Sequence, residues 1–149
     1  CYHVVKPVDI VSVLSILDRL EFVHVNQGGV KYECDVVLKD HFPAELQDLI
    51  GNLGLGGRQA RAMLRRLGPR QSIPPHVDDW MPKEADWRRF QVPLTSHPDI
   101  LMAWPDDDVS VHLAPGFLYE VNFSRKHEVI HPADCSRVHL QIDQIDATI

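Results

Sequence analysis

The sequence predicts one mainly β domain, a sandwich or barrel of short strands with two helices laid against one face. Three observations carry this expectation. The chain has 149 residues, 44% of them hydrophobic and 24% charged, which suits a single globular unit with a real core. Two apolar stripes at helical spacing occupy its first third. After Gly54-Leu55-Gly56-Gly57, short segments of strand character follow one another, broken by Pro, Asp and Gly.

In chain order, Asp9 is placed to cap a helix in which Ile10, Val13, Leu14, Leu17 and Leu20 form one stripe. Residues 32–38 read as a strand. Pro43 occupies a first-turn position, Leu46, Leu49, Ile50 and Leu53 form the second stripe, and Gly54 ends it. Residues 1–58 are therefore expected to be a helical, mixed supporting segment, and 59–149 the strand-built core. The eight expected strands of that core are 60–67, 72–78, 87–95, 100–104, 109–113, 117–123, 126–130 and 137–142. Pro105 with Asp106, Asp107 and Asp108 reads as a solvated turn, and Ala114-Pro115-Gly116 as a tight connection.

Charge and cysteine usage exclude several classes. A formal net charge of −6 offers no field for phosphate backbones or anionic lipid, so neither a nucleic acid nor a membrane is an expected partner. Arg58, Arg61, Arg65, Arg66 and Arg70 do cluster, and read as a solvated strand face or, alternatively, a substrate-docking patch. Cys1, Cys34 and Cys135 are an odd number without CxxC spacing, which argues against a disulfide framework or zinc knuckle. With no membrane-length apolar run and no signal-peptide layout, the expected compartment is the cytoplasm.

The chemistry-bearing pattern is His76-Val77-Asp78. On a strand, residues two apart share a face, so an imidazole and a carboxylate can hold one ion while Val77 packs behind. A histidine from another strand completes the 2-His-1-carboxylate triad, which leaves positions open for oxygen and a cosubstrate on iron. His127 lies forty-nine positions beyond Asp78, room for four intervening strands, with His131 as its rival. The second match, His97-Pro98-Asp99, reads as a turn because proline interrupts it, and Asp79 replaces Asp78 only if the register slips. Arg137, ten positions past His127, stands on the next strand, where its fork can grip the far carboxylate of a metal-chelated dicarboxylate.

Two strands carry a polar row against an apolar one. Arg137, His139 and Gln141 alternate with Val138, Leu140 and Ile142, and Arg89, Gln91 and Thr95 oppose Phe90, Val92 and Leu94. Such rows suggest a polar cleft, unless the first belongs to an exposed edge strand.

Ile73-Pro74-Pro75-His76-Val77-Asp78, Arg89-Phe90-Gln91-Val92-Pro93-Leu94, Pro115-Gly116 and His127-Glu128-Val129 followed by Arg137 resemble the aspartyl/asparaginyl β-hydroxylase family of Fe(II)/2-oxoglutarate dioxygenases. The resemblance spans roughly residues 60–143. It implies a double-stranded β-helix, the jelly-roll or cupin-like barrel, with iron on His76, Asp78 and His127. It places Arg137 on the distal carboxylate of 2-oxoglutarate and Arg89 near the cosubstrate or the substrate. Gln91 stands where some members carry His. Retention of Asp78, where some relatives have Gly, favours hydroxylation over halide delivery.

The implied reaction uses O2 and 2-oxoglutarate to hydroxylate an unactivated C–H bond of an amino-acid side chain, free or in a peptide, releasing succinate and CO2. Trp80, two residues past the metal motif, is either packing or a substrate contact. His3, His24, His41 and His112 read as surface or satisfied core residues, whereas His139 could face the cleft. Two other classes share these features: a cupin-type metalloenzyme that uses no 2-oxo acid, and a jelly-roll binding module with a vestigial site.

Overall fold

The computed structural model describes residues 1–27, 32–78 and 86–145. Their backbone forms two antiparallel sheets. The larger sheet contains β1 (Tyr2–Pro7), β2 (Val23–Gln27), β3 (Tyr32–Leu38), β4 (Arg58–Leu67), β6 (Trp87–Thr95), β9 (Phe117–Val121) and β11 (Arg137–Ile145), in the order β1-β9-β6-β11-β4-β3-β2. The smaller contains β5 (Ile73–His76), β7 (Leu101–Trp104), β8 (Val109–Val111) and β10 (His127–Ile130), in the order β5-β10-β7-β8. This two-sheet arrangement fits a jelly roll.

Alternation along β11 organises the molecule. Val138, Leu140 and Ile142 project to one side, where they join Phe90, Val92 and Leu94 of β6 and Ala62 and Leu64 of β4 in one apolar cluster. Leu46 and Leu49 of α2 (Ala44–Asn52), Leu53 just past its end, and Val13 of α1 (Val11–Leu14) belong to the same cluster. Gly54, at φ +69°, takes the left-handed conformation that ends α2 without steric cost. The other face of the larger sheet meets the smaller sheet. There Tyr32, Cys34, Met63 and Leu67 pack with Ile73 and Val129, and Tyr119 and Val121 pack with Met102 and Trp104. Between these two apolar seams, Arg137, His139, Gln141 and Asp143 of β11 are buried. The polar row therefore lies on a central strand, bonded to β6 and β4, and not on an exposed edge.

Several expectations need correction. The helix expected from Asp9 to Leu20 shrinks to α1 and a separate 3-10 turn, Leu17–Arg19. Asp9 does accept the Val11 N–H (3.1 Å), but β-branched Ile10, Val11, Val13 and Ile16 restrict the helix, and Ser15 turns its hydroxyl back onto the Ser12 carbonyl (2.7 Å). The first 58 residues also supply three strands to the larger sheet, of which β1 and β2 were not expected. β1 is an edge strand exposed on both faces, so burial imposes no apolar alternation that could mark it. The arginine cluster is not one solvated face. Arg66 pairs with Asp35, Arg70 with Asp134, and Arg61 and Arg65 stand on the face of β4 shared with Met63, toward the polar row. Among the described residues no helix is long and apolar enough to cross a membrane.

Candidate metal centre

Antiparallel pairing of β10 with β5 sets His127 directly opposite His76, with ring centroids 4.4 Å apart. The strand ends at His76, so Asp78 is placed by the bend that follows rather than by strand alternation. Its N–H donates to the Phe123 carbonyl (3.3 Å), while Val77, expected to pack behind the pair, is 48% exposed. The Asp78 carboxylate thereby lies between the rings: Oδ1 is 3.4 Å from His76 Nε2 and Oδ2 is 3.5 Å from His127 Nε2.

The backbone fixes which ring nitrogen is free. His76 Nδ1 meets the Pro74 carbonyl and His127 Nδ1 the Arg125 carbonyl, each at 2.8 Å, and a carbonyl can only accept. Both neutral imidazoles therefore carry their proton on Nδ1 and turn the Nε2 lone pair toward Asp78, the tautomer a metal ligand needs. Burial pulls the His127 imidazolium below its usual value. At His76 burial pulls the same way, but the Asp78 carboxylate and the Pro74 carbonyl outweigh it and the net shift is upward. Burial pushes Asp78 up, yet His76, Arg89 and His127 together hold it well below the ordinary carboxylate range. The ligand atoms of His76, Asp78 and His127 all lie within 4.8 Å of one another, and no other such group of three occurs among the described residues. Two imidazole nitrogens and a carboxylate on one side of a cavity suit a divalent transition metal such as iron.

Cross-strand register builds the support for Asp78. Asp143 on β11 stands opposite Arg89 of β6 on one side and Arg61 of β4 on the other. Arg89 donates from Nε and one terminal nitrogen to Asp143 (2.7 and 3.1 Å), and from its other terminal nitrogen to Asp78 Oδ2 (2.6 Å). Arg61 donates to Asp143 Oδ2 (3.2 Å). Arg89, expected at the cosubstrate or substrate, thus spends its fork on two carboxylates, one of them a candidate ligand.

Behind the three residues lies a cleft of about 410 Å³, including the space at its mouth. His76 and His127 of the smaller sheet form one wall, and Arg65, Arg89, Gln91, Arg137, His139 and Gln141 of the larger sheet the other. Arg137 was expected on the strand beside the distal ligand; β11 instead lies in the opposite sheet and faces β10 across the cleft. One Arg137 nitrogen lies 2.9 Å from His139 Nδ1, and the Gln91 carboxamide 2.7 Å from that same nitrogen. Burial, with Arg137 and other cations nearby, holds His139 neutral. The Gln91 atom is the oxygen Oε1, so a neutral ring either donates to it from Nδ1 or accepts from Arg137 there, and in both tautomers leaves Nε2 for another partner. Among the described residues, that Nε2, Arg65 Nε and Gln141 Nε2 are buried without a partner. Among the described residues no carboxylate pairs with Arg137, and burial beside the Arg65 guanidinium pulls it down to about 9. A buried wall of donors and cations without a counter-ion suits an anionic ligand.

His131 is buried but follows the far end of β10, four residues from His127, roughly 13 Å away at strand rise. It is not in the cluster of ligand atoms. Asp79 and Trp80 lie outside the described residues. His24, read as lacking a paired partner, sits 2.9 Å from Asp35. Sequence reasoning missed Asp143 and Tyr32, and had Arg65 only within the arginine cluster read as a solvated face or a substrate-docking patch. Asp143 continues the alternation of Arg137, His139 and Gln141 by one step, a signal that extending the expected strand past Ile142 exposes.

No family model matches the sequence, and no curated protein matches it. Solved structures do. The viral collagen prolyl hydroxylase of Paramecium bursaria Chlorella virus-1, solved with 2OG, superposes over 98% of this chain and 96% of its own, with a TM-score of 0.66 and 9% identity. An oxidoreductase of the 2OG-Fe(II) oxygenase family from Burkholderia pseudomallei superposes over 91% of this chain and 78% of its own (TM-score 0.63, 14% identity). A Cupin 2 conserved barrel domain protein from Salinispora arenicola covers 88% and 86% (TM-score 0.51, 13% identity). At these identities the likeness establishes the fold: a jelly-roll barrel of the kind found in 2OG-Fe(II) oxygenases and in cupins.

Proposed function

We propose that this chain is an Fe(II)- and 2-oxoglutarate-dependent oxygenase. The observation that carries the reading is the pairing, across one cleft, of a His-Asp-His cluster in metal-binding tautomers with a buried arginine that lacks a carboxylate. His76, Asp78 and His127 hold the metal, and Arg137 holds the far carboxylate of the 2-oxo acid by a bidentate fork. Arg89 fixes the Asp78 carboxylate between the rings, while His139 stands against Arg137 and Gln91 against His139. When bound, the metal and 2-oxoglutarate supply an O2-dependent oxidation that converts C–H to C–OH and yields succinate and CO2. The buried polar wall excludes water and keeps the acid in one orientation.

More finely, the target is an amino-acid side chain, free or in a peptide, as in the aspartyl/asparaginyl β-hydroxylase family. What supports this is the sequence resemblance, together with Asp78 as the carboxylate ligand. In this reading the N-terminal helices cover the outer face of the larger sheet. A reducing cytoplasm suits the three free cysteines.

The test is thermal melting with Mn(II), 2-oxoglutarate or both, with succinate followed by NMR under Fe(II) and air. The reading expects 2-oxoglutarate to raise Tm only when the metal is present, and succinate to form. Stabilisation by metal alone points to a cupin-type enzyme that uses no 2-oxo acid, and stabilisation by neither to a binding module.

A further inference from the structure

Register places Arg65 of β4 directly across from His139, and Arg137 one step diagonal to it on the same face of the larger sheet. All three line the cleft. Arg65 donates to the Tyr32 hydroxyl (2.8 Å), and its second terminal nitrogen meets only the weak acceptor Met63 Sδ (3.5 Å). Its Nε is buried and has no partner among the described residues. Among the described residues, no carboxylate pairs with either guanidinium.

Two like charges on neighbouring strands, Arg137 buried and Arg65 partly buried, repel each other and cost the fold stability. The Arg89–Asp143–Arg61 group on the same sheet shows the alternative, in which a buried carboxylate sits between two arginines. The Arg65–Arg137 pair differs: the two guanidiniums stand on adjacent strands, one step diagonal, and no carboxylate of the described residues lies with them, so the anion's place is left to a ligand.

We infer that Arg65 is a second anchor for the acid held by Arg137, and so a specificity-determining residue that selects a dicarboxylate over a 2-oxo monocarboxylate. The Tyr32 hydroxyl positions its guanidinium. This inference rests on the proposed function, since it names the residue that chooses that enzyme's cosubstrate. Arg137 forks onto the distal carboxylate, and Arg65 adds a further charged hydrogen bond to one of its oxygens. An acid without that carboxylate leaves both cations uncompensated, so it gains nothing from Arg65.

The test measures equilibrium binding of 2-oxoglutarate and of 2-oxobutyrate to the Mn(II)-loaded protein by calorimetry, for the wild type, Arg65→Gln, Arg65→Lys and Tyr32→Phe. Arg65→Gln should weaken 2-oxoglutarate tenfold or more, as expected for a charged hydrogen bond, and leave 2-oxobutyrate and Mn(II) affinity unchanged. Arg65→Lys should recover part of the loss, and Tyr32→Phe should lose less than Arg65→Gln. If Arg65→Gln binds 2-oxoglutarate within twofold of wild type, the inference is overturned and the proposed function stands. It is likewise overturned if both acids and Mn(II) weaken together, because Arg65 then acts through the fold. A wild type that takes up neither acid with Mn(II) present removes the proposed function itself, and the inference with it.

Discussion

Replacing Asp143 by Asn tests whether the buried carboxylate organises the site from behind. The side chain has 0% exposure and accepts from Arg89 Nε, Arg89's terminal nitrogen and Arg61 at 2.7, 3.1 and 3.2 Å. Asn keeps the shape but removes the charge and turns an NH2 group toward a guanidinium. Breaking a buried ion pair by removing one partner costs about 3–5 kcal/mol. Two features of this site favour the lower end: Arg89 keeps Asp78, and Arg61, 36% exposed, can return to water. About 3 kcal/mol corresponds to a fall in Tm of roughly 9 °C for a domain near 150 residues. The second effect is on the metal. Without Asp143 the positive charge of Arg89 falls on Asp78 and on any cation beside it, so Mn(II) affinity should drop by about 10–100-fold, the range for supporting groups around metal ligands. Circular dichroism melts of the metal-free variant and Mn(II) calorimetry measure the two effects separately. A Tm within 2 °C of wild type, with unchanged Mn(II) affinity, refutes the assignment of Asp143 as the support of Arg89 and Asp78.

Three further outcomes are expected. Arg137→Lys keeps the charge but loses the fork, so 2-oxoglutarate affinity should fall by about 1.5–3 kcal/mol with Mn(II) binding unchanged, and calorimetry of both ligands checks this. Arg89→Ala frees Asp78 from its 2.6 Å bond, so substrate-stimulated and background succinate formation should fall in parallel. Loss of the stimulated rate alone would instead return Arg89 to the substrate. In the metal-free protein, Asp78 lies below its ordinary value, so its stabilisation is present above ~pH 4 and is lost as pH falls further through its folded value. His76 is shifted upward, so its share is whole below ~pH 6.5 and fades as pH rises through its folded value. The difference in urea midpoint between wild type and Asp78→Asn should therefore be largest between ~pH 4 and ~pH 6.5, and a difference that stays flat from ~pH 3 to ~pH 8 contradicts the pairing.

How far the site was legible depended on whether a residue's role shows in local periodicity. His76 and His127 were read from the His-Val-Asp spacing and the family resemblance, since β5 carries two exposed prolines and no alternation. Arg137, His139 and Gln141, by contrast, could be read as one row because Val138, Leu140 and Ile142 alternate with them. The core strands were placed within a few residues for the same reason. Asp78 was found with the wrong geometry, since the bend after β5 depends on a bond to Phe123, forty-five positions away. Whether the arginine cluster containing Arg65 faced solvent or a ligand stayed open for a different cause. A strand that is polar on one face reads alike whether that face meets solvent or a buried cavity, and only the opposing sheet distinguishes them. Arg89's commitment to Asp143 and Asp78 likewise requires the register of three strands, which spacing along one strand does not contain. β1 escaped because an edge strand without a buried face carries no pattern to find.

The division of the cleft between two sheets has a mechanical consequence. The two candidate histidine ligands belong to the smaller sheet, and the arginine opposite them to the larger. A molecule reaching from one to the other acts as a rivet through both walls, so the barrel cannot spread without releasing it. Occupancy and stiffness then become one property. Amides of β10 and β11, far apart in hydrogen-bonding order, should slow their exchange together when the rivet is in place, and a short molecule that grips one wall should slow only that wall.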